Sequence, residues 1–304
     1  MRVITACACL ALLGCGPSAE GYPFARETRE AVDAGRDGGS VLDAGPPEVA
    51  PDPIEDWDVT GAGPLTGLYA LEVTVLANVI VDVETRQLYR LRVLQRGRDV
   101  RMRVTPCRIS LPSIRGVATL AIGPDVEDVL RTKHVELEGP FLSADAPMGA
   151  LFAPPSATVV LGATLDDPEG DPLPSADDPA RATDEDADGA PGVSIDAVAV
   201  VCRDPQRAFV SLRAAVALST TITSFEHLEG TLSPTLDQAV LGVSDACLAP
   251  ATTLDIVIRP GSSFRAVRVG DGEELDANGN VSCPEIVWAS TRMFGDYWHG
   301  TPAR

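Results

Sequence analysis

Leu88-Tyr-Arg-Leu-Arg-Val-Leu94 is followed, across Gly97-Arg98-Asp99, by Val100-Arg-Met-Arg-Val-Thr105. In both runs apolar and charged residues alternate, and the arginines fall on one side. A period of two with one charged face is the signature of a half-buried antiparallel strand. A Gly beside a polar pair between two such runs predicts a hairpin turn. Working outward, Tyr69 to Leu76 alternates in the same way. Further strands are predicted at Gly116 to Ile122, Lys133 to Leu137, Ala157 to Ala163, Ser194 to Cys202, Ala208 to Leu218, Thr220 to Leu228, Ala239 to Val243, Thr253 to Arg259 and Phe264 to Val269. Helical periodicity is confined to short stretches, Pro124 to Arg131 and Pro284 to Met293. Many short strands between regular turns predict a mainly β fold: an antiparallel β-sandwich or barrel with one short C-terminal helix.

The foldable region spans Leu65 to Arg304. It is read either as one β-rich domain or as two similar halves, about 65–163 and 194–304, around an acidic loop at 164–193. Net charge is −20, from 24 Lys and Arg against 44 Asp and Glu. Nucleic acid is therefore excluded as an expected partner, because phosphate contacts need clustered cations. The same charge favours divalent cations.

Ahead of the β region, Met1-Arg2 precedes an apolar run from Val3 to Leu13, and then Gly14-Cys15. A positive start, an apolar core of about 11 residues and a small residue before a cut make a secretory signal, too short for a membrane-spanning helix. Leu12-Leu13-Gly14-Cys15 resembles the lipobox of bacterial lipoproteins, with Leu13 where that family usually has a small residue. The resemblance implies a signal peptide at 1–14, a diacylglyceryl thioether on Cys15, and a membrane partner through the anchor. It also implies a cell-envelope location, outer membrane rather than inner. From Cys15 to Pro64 the chain is dense in Gly, Pro, Ala and acid, with Asp-Ala-Gly at Asp33 to Gly35 and Asp43 to Gly45. Such a composition buries too little apolar surface to offset its ordering entropy, and predicts an acidic tether. Tethers of this kind resemble those of uncharacterised bacterial envelope lipoproteins.

Cys107, Cys202, Cys247 and Cys283 remain after the signal and the lipid site. Four cysteines in an exported chain predict two disulfides, with three pairings open. No Cys-x-x-Cys pair argues for redox catalysis or a zinc ribbon.

Two acidic stretches carry ligand-like spacing. In Asp184-Glu-Asp186-Ala-Asp188-Gly189-Ala190, alternate carboxylates in a tight turn face one centre, and hard cations want oxygen ligands. This start resembles an EF-hand loop or a thrombospondin-type acidic repeat. The resemblance implies side-chain ligands at Asp184, Asp186 and Asp188 and a carbonyl ligand at Ala190. Ile195 stands where an EF-hand has its bidentate Glu, with Asp196 one place on. The second stretch, numbered as a twelve-residue EF-hand loop, offers Glu274, Asp276, Asn278, Asn280, Ser282 and Glu285. Calcium in a structural role is the cofactor expected. Turn formation by Asp-Gly and Asn-Gly is the competing explanation.

No nucleophile elbow, zincin motif or phosphate loop is present. The expectation is a non-enzymatic structural or binding module whose protein, glycan or lipid partner is open. One alternative is a lipocalin-like carrier, because Thr66-Gly67-Leu68-Tyr69 opens the domain with a Gly and an aromatic. Another is a hydrolase with dispersed residues, because His134 with Glu136 and His227 with Glu229 share strand faces.

Overall fold

The hairpin that decides the fold forms as the alternation requires. Strands β1 (Gly67–Asn78), β2 (Asp82–Arg96) and β3 (Asp99–Ile109) are consecutive and antiparallel. Gln95 pairs with Val100 and Arg96 with Asp99, leaving Gly97-Arg98 as a two-residue turn. Gly97 has φ 60°, the left-handed value that a hairpin turn of this kind demands at its first central position.

The computed structural model describes residues 62–79, 81–111, 113–114, 117–141, 148–253, 256–269 and 281–295. All belong to the compact unit Pro46–Arg304; the other unit, Met1–Gly45, lies outside the described residues. The chain continues with β4 (Ser113–Ile114), β5 (Ala118–Ile122), helix α1 (Pro124–Thr132), β6 (Val135–Pro140), β7 (Leu151–Phe152), β8 (Ala157–Leu161) and β9 (Val193–Ala199). Then come β10 (Gln206–Thr221), β11 (His227–Val243), a 3-10 helix (Ala246–Thr253), β12 (Val257–Ile258), β13 (Ser263–Arg268) and α2 (Cys283–Phe294). The fold is mainly β, an antiparallel sheet curled into a half-barrel. Its 13 strands run β4-β5-β9-β10-β11-β13-β1-β2-β3-β6, with β12 on β1 and β7 and β8 on β10. Strands from before and after the acidic loop therefore share one sheet, joined where β13 pairs with β1, where β9 pairs with β5, and where β7 and β8 pair with β10.

Odd-numbered residues of β1 and β2 and even-numbered residues of β3 turn to one side of the sheet. Tyr69, Leu71, Leu91, Val93, Val100 and Met102 pack there with Phe141, Phe152, Ile222 and Phe264. The Tyr69 hydroxyl sits in that core, 2.8 Å from the Phe225 carbonyl and 3.2 Å from Arg268 Nη2, so its polarity is matched. On the other side α2 covers Ala70, Leu88 and Cys107 with Ile286 and Phe294. Ser282 caps α2 reciprocally with Glu285, which fixes where the helix starts. Disulfides Cys107–Cys283 and Cys202–Cys247 close the four cysteines. The first ties α2 to β3. The second ties the 3-10 helix to the β9–β10 turn.

Three strand expectations change, one being Thr253 to Arg259: Thr253 ends the 3-10 helix, and among the described residues of that run the strand is Val257–Ile258. The predicted Thr220 to Leu228 strand is split: Thr221 ends β10, Ile222–Glu226 turns, and His227 begins β11. β11 then runs unbroken through Gly230 and Pro234, residues that punctuate the sequence pattern. Pro234 is tolerated because β13 pairs with β11 only from His227 to Thr231, so no second strand asks for its missing N–H.

One edge of β10 positions the site. β8 pairs with Leu212 to Val216 and β9 with Gln206 to Val210, so the chain leaves the sheet after Leu161 and rejoins it at Val193. Gly162 (φ 71°) and Gly192 (φ 97°) form the stem of this excursion. A Cβ at Gly162 would lie 2.6 Å from the Val210 carbonyl oxygen and 2.8 Å from Gly192 Cα, and one at Gly192 would lie 2.5 Å from the same oxygen. Only glycine fits both the dihedral and the approach.

Candidate metal centre

The excursion folds into two acidic turns. In the second, Gly192 N–H donates to the Thr183 carbonyl (2.9 Å) and Glu185 N–H to the Gly192 carbonyl (3.3 Å), closing a loop from 183 to 192. Inside it the aspartates organise the backbone. Asp184 accepts the amides of Asp188 (3.2 Å) and Gly189 (2.9 Å), and Asp188 accepts that of Ala190 (2.9 Å). Ala187 takes φ 55°, and Gly189 takes φ 87°. Short acidic side chains satisfying their own turn in this way are ordinary turn chemistry.

What goes beyond turn chemistry is the convergence. Asp184, Asp186 and Asp188 each present one oxygen, all within 4.8 Å of one another. Oxygens that bind one calcium ion at about 2.3–2.6 Å are at most roughly 5 Å apart, so the spacing suits a single hard cation. Asp186 is the floor of the cluster, only 8% exposed. Its Oδ2 accepts the Ser194 amide (2.9 Å), while its Oδ1 is buried without a partner. Among the described residues, the buried side-chain polar atoms lacking a partner are this oxygen, Thr183 Oγ1 and Glu185 Oε2, all within four consecutive residues. Native interiors rarely leave such groups unpaired, and each orphan costs about 1–3 kcal/mol.

Charge tells the same story. Burial pushes the Asp186 carboxyl above its usual range, and the carboxylates of Asp188 and Asp184 push the same way. The Ser194 hydroxyl (2.6 Å), the Ala190 amide and the Arg207 guanidinium (3.2 Å) hold Asp188 below its usual range. The loop is tied outward by Glu185 to Lys133, 3.3 Å away at the C-terminal end of α1. Helix α1 is seated by Val126 and Leu130 against Val193 and Val210, next to the stem.

Of the residues expected from sequence, the structure thus brings Asp184, Asp186 and Asp188 together, with Ala190 at the same turn through its N–H. Asp196 does not join them; it faces Arg207 Nε at 3.3 Å from within β9. Glu274, Asp276, Asn278 and Asn280 lie outside the described residues, as does Cys15. Of that second stretch, Ser282 and Glu285 are described. Glu285 Oε2 accepts the Ser282 N–H and hydroxyl, both at 2.6 Å, as the α2 cap. His134 lies 4.0 Å from Glu136, which Arg101 and Arg103 also grip. Sequence reading missed Ser194, Arg207, Lys133 and Thr183. The first two stand on neighbouring strands in β9–β10 register, and no local pattern marks them.

Among the described residues no helix is long and apolar enough to cross a membrane, which says nothing of strands. Compared with protein-family models, with curated proteins and with solved structures, the chain matches none.

Proposed function

We propose that this chain is a lipid-anchored lipoprotein of the cell envelope. Its disulfide-stapled β domain is a non-enzymatic structural or binding module, and its Asp184–Gly192 loop takes a divalent cation, calcium by chemistry. One observation carries the cation reading: a nine-tenths-buried Asp186 with a partnerless oxygen, inside a cluster of three carboxylates. A hard cation supplies what Asp186 Oδ1 lacks and offsets the mutual repulsion of the three charges. The role is structural, since the loop lies beside the glycine stem that sets the β8–β9 edge. The packed apolar cluster around Tyr69, Phe141 and Phe152 supports a filled module over a carrier.

The anchor rests on Val3 to Cys15 and on two disulfides, which suit an oxidising compartment outside the cytosol. Calcium titrated calorimetrically into the chain is expected to bind with a dissociation constant on the order of 10⁻⁴ to 10⁻³ M. Absence of heat at millimolar calcium rejects the cation reading. Cys15→Ser is expected to move the chain out of the detergent phase, and unchanged partitioning rejects the anchor.

A further inference from the structure

We infer that Arg207 is a built-in counter-cation of the Asp184–Asp186–Asp188 cluster: it competes with the divalent ion and sets the site's affinity. The inference rests on the cation reading proposed above. Arg207 stands on β10 opposite Asp196 of β9. Its Nη1 lies 3.2 Å from Asp188 Oδ2, and its Nε lies 3.3 Å from Asp196 Oδ1. The Asp188 side chain is 11% exposed and the Arg207 side chain 52%, so the guanidinium reaches from the solvent side onto a covered carboxylate.

The other groups that hold Asp188 are a hydroxyl and an amide. They orient the carboxylate without cancelling its charge. Of the three carboxylates Arg207 contacts that of Asp188; Lys133 pairs with Glu185, outside the cluster. Arg207 neutralises the rim, at Asp188. It does not reach the floor, where Asp186 Oδ1 stays buried and unpartnered. The arrangement is therefore half-compensated: one positive charge at the rim, with a place left for another below. Two cations sharing one carboxylate repel each other, so ion binding and the Arg207–Asp188 contact are negatively coupled. With the guanidinium gone, the cluster presents its full charge, and Asp196 is released beside it.

Calcium chloride titrated into the wild-type chain, Arg207→Gln and Arg207→Lys at low ionic strength tests this, with the melting temperature in EDTA recorded for each. Arg207→Gln is expected to bind calcium about tenfold more tightly than wild type, since a divalent ion and a guanidinium on the same carboxylate repel even in a water-like medium. The gain shrinks as salt is raised. Arg207→Lys keeps the charge and is expected to stay within about threefold of wild type. If wild type binds and Arg207→Gln is unchanged or weaker with its EDTA melting temperature retained, the inference fails while the cation reading stands. Tightening by Lys equal to that by Gln also overturns it, because charge is then not the cause. If only Arg207→Gln binds, the competition is upheld and native occupancy is rejected. If neither binds, both fail.

Discussion

The two turns of the excursion are equally rich in acid and opposite in how that acid is used. In the first, Asp171 accepts the amides of Asp166 (3.1 Å) and Asp167 (3.2 Å) and meets Arg181 at 2.7 Å. Arg213 reaches from β10 to the carbonyls of Glu169 (3.2 Å) and Asp171 (2.7 Å), with Asp237 on its other side at 2.7 Å. That turn carries its own cations. The second turn gathers three carboxylates, is held mainly by neutral donors, and leaves three buried oxygens unpartnered. Acid density does not mark a cation site; an unmet demand for positive charge does.

The comparison breaks first at the stem, which both turns share. Gly192→Val places a Cβ 2.5 Å from the Val210 carbonyl oxygen at φ 97°. Chemical denaturation is expected to show a loss of about 3 kcal/mol or more. Gly189→Ala has open space at φ 87° and is expected to cost only about 1 kcal/mol.

Arg213→Ala tests the self-sufficient turn. It strips the carbonyls of Pro168, Glu169 and Asp171, and Asp237, of their donor, at a cost of about 1–2 kcal/mol. Proteolysis between 164 and 181 is expected to quicken while calcium binding is unchanged.

Substituting each turn's central acid sharpens the contrast. In EDTA, Asp171→Asn is expected to lower the melting temperature. Asp186→Asn is expected to leave it level or raise it, because a buried charge is removed, and to abolish any response to calcium.

The smallest effect is on pH dependence in EDTA. The Asp167 amide, followed by Arg181, holds the Asp171 carboxyl below its usual range. Its stabilisation is present above the unfolded aspartate value of about 3.9 and is lost as pH falls through the lower folded value. Burial raises the Asp186 carboxyl, so its contribution runs the other way. It is present below about pH 3.9 and lost as pH rises through the higher folded value. Stability curves of the two Asn variants are expected to flatten on opposite sides of that value.

The parts legible in sequence were those governed by neighbours along the chain. Alternation in Leu88 to Thr105 announced a hairpin because strand faces have period two. Asp184, Asp186 and Asp188 converge because a turn of that spacing folds them inward. What escaped depends on pairing across the sheet. Pro234 sits inside a 17-residue strand because of where β13 stops pairing, which no local pattern encodes. The disulfide partners Cys107 and Cys283 are 176 residues apart and meet because α2 packs on β3. Arg207 reaches Asp188 only through the register that sets it opposite Asp196.

The central claim, that the Asp184–Asp186–Asp188 loop is completed by a divalent cation, is tested most directly by thermal melting of the wild-type chain with calcium and with EDTA. At calcium about tenfold above the dissociation constant, binding adds about 1.4 kcal/mol, which for a domain of this size raises the midpoint by roughly 3–6 °C. A rise of that order that vanishes in Asp186→Asn is the expected result. Identical midpoints in millimolar calcium and in EDTA contradict it.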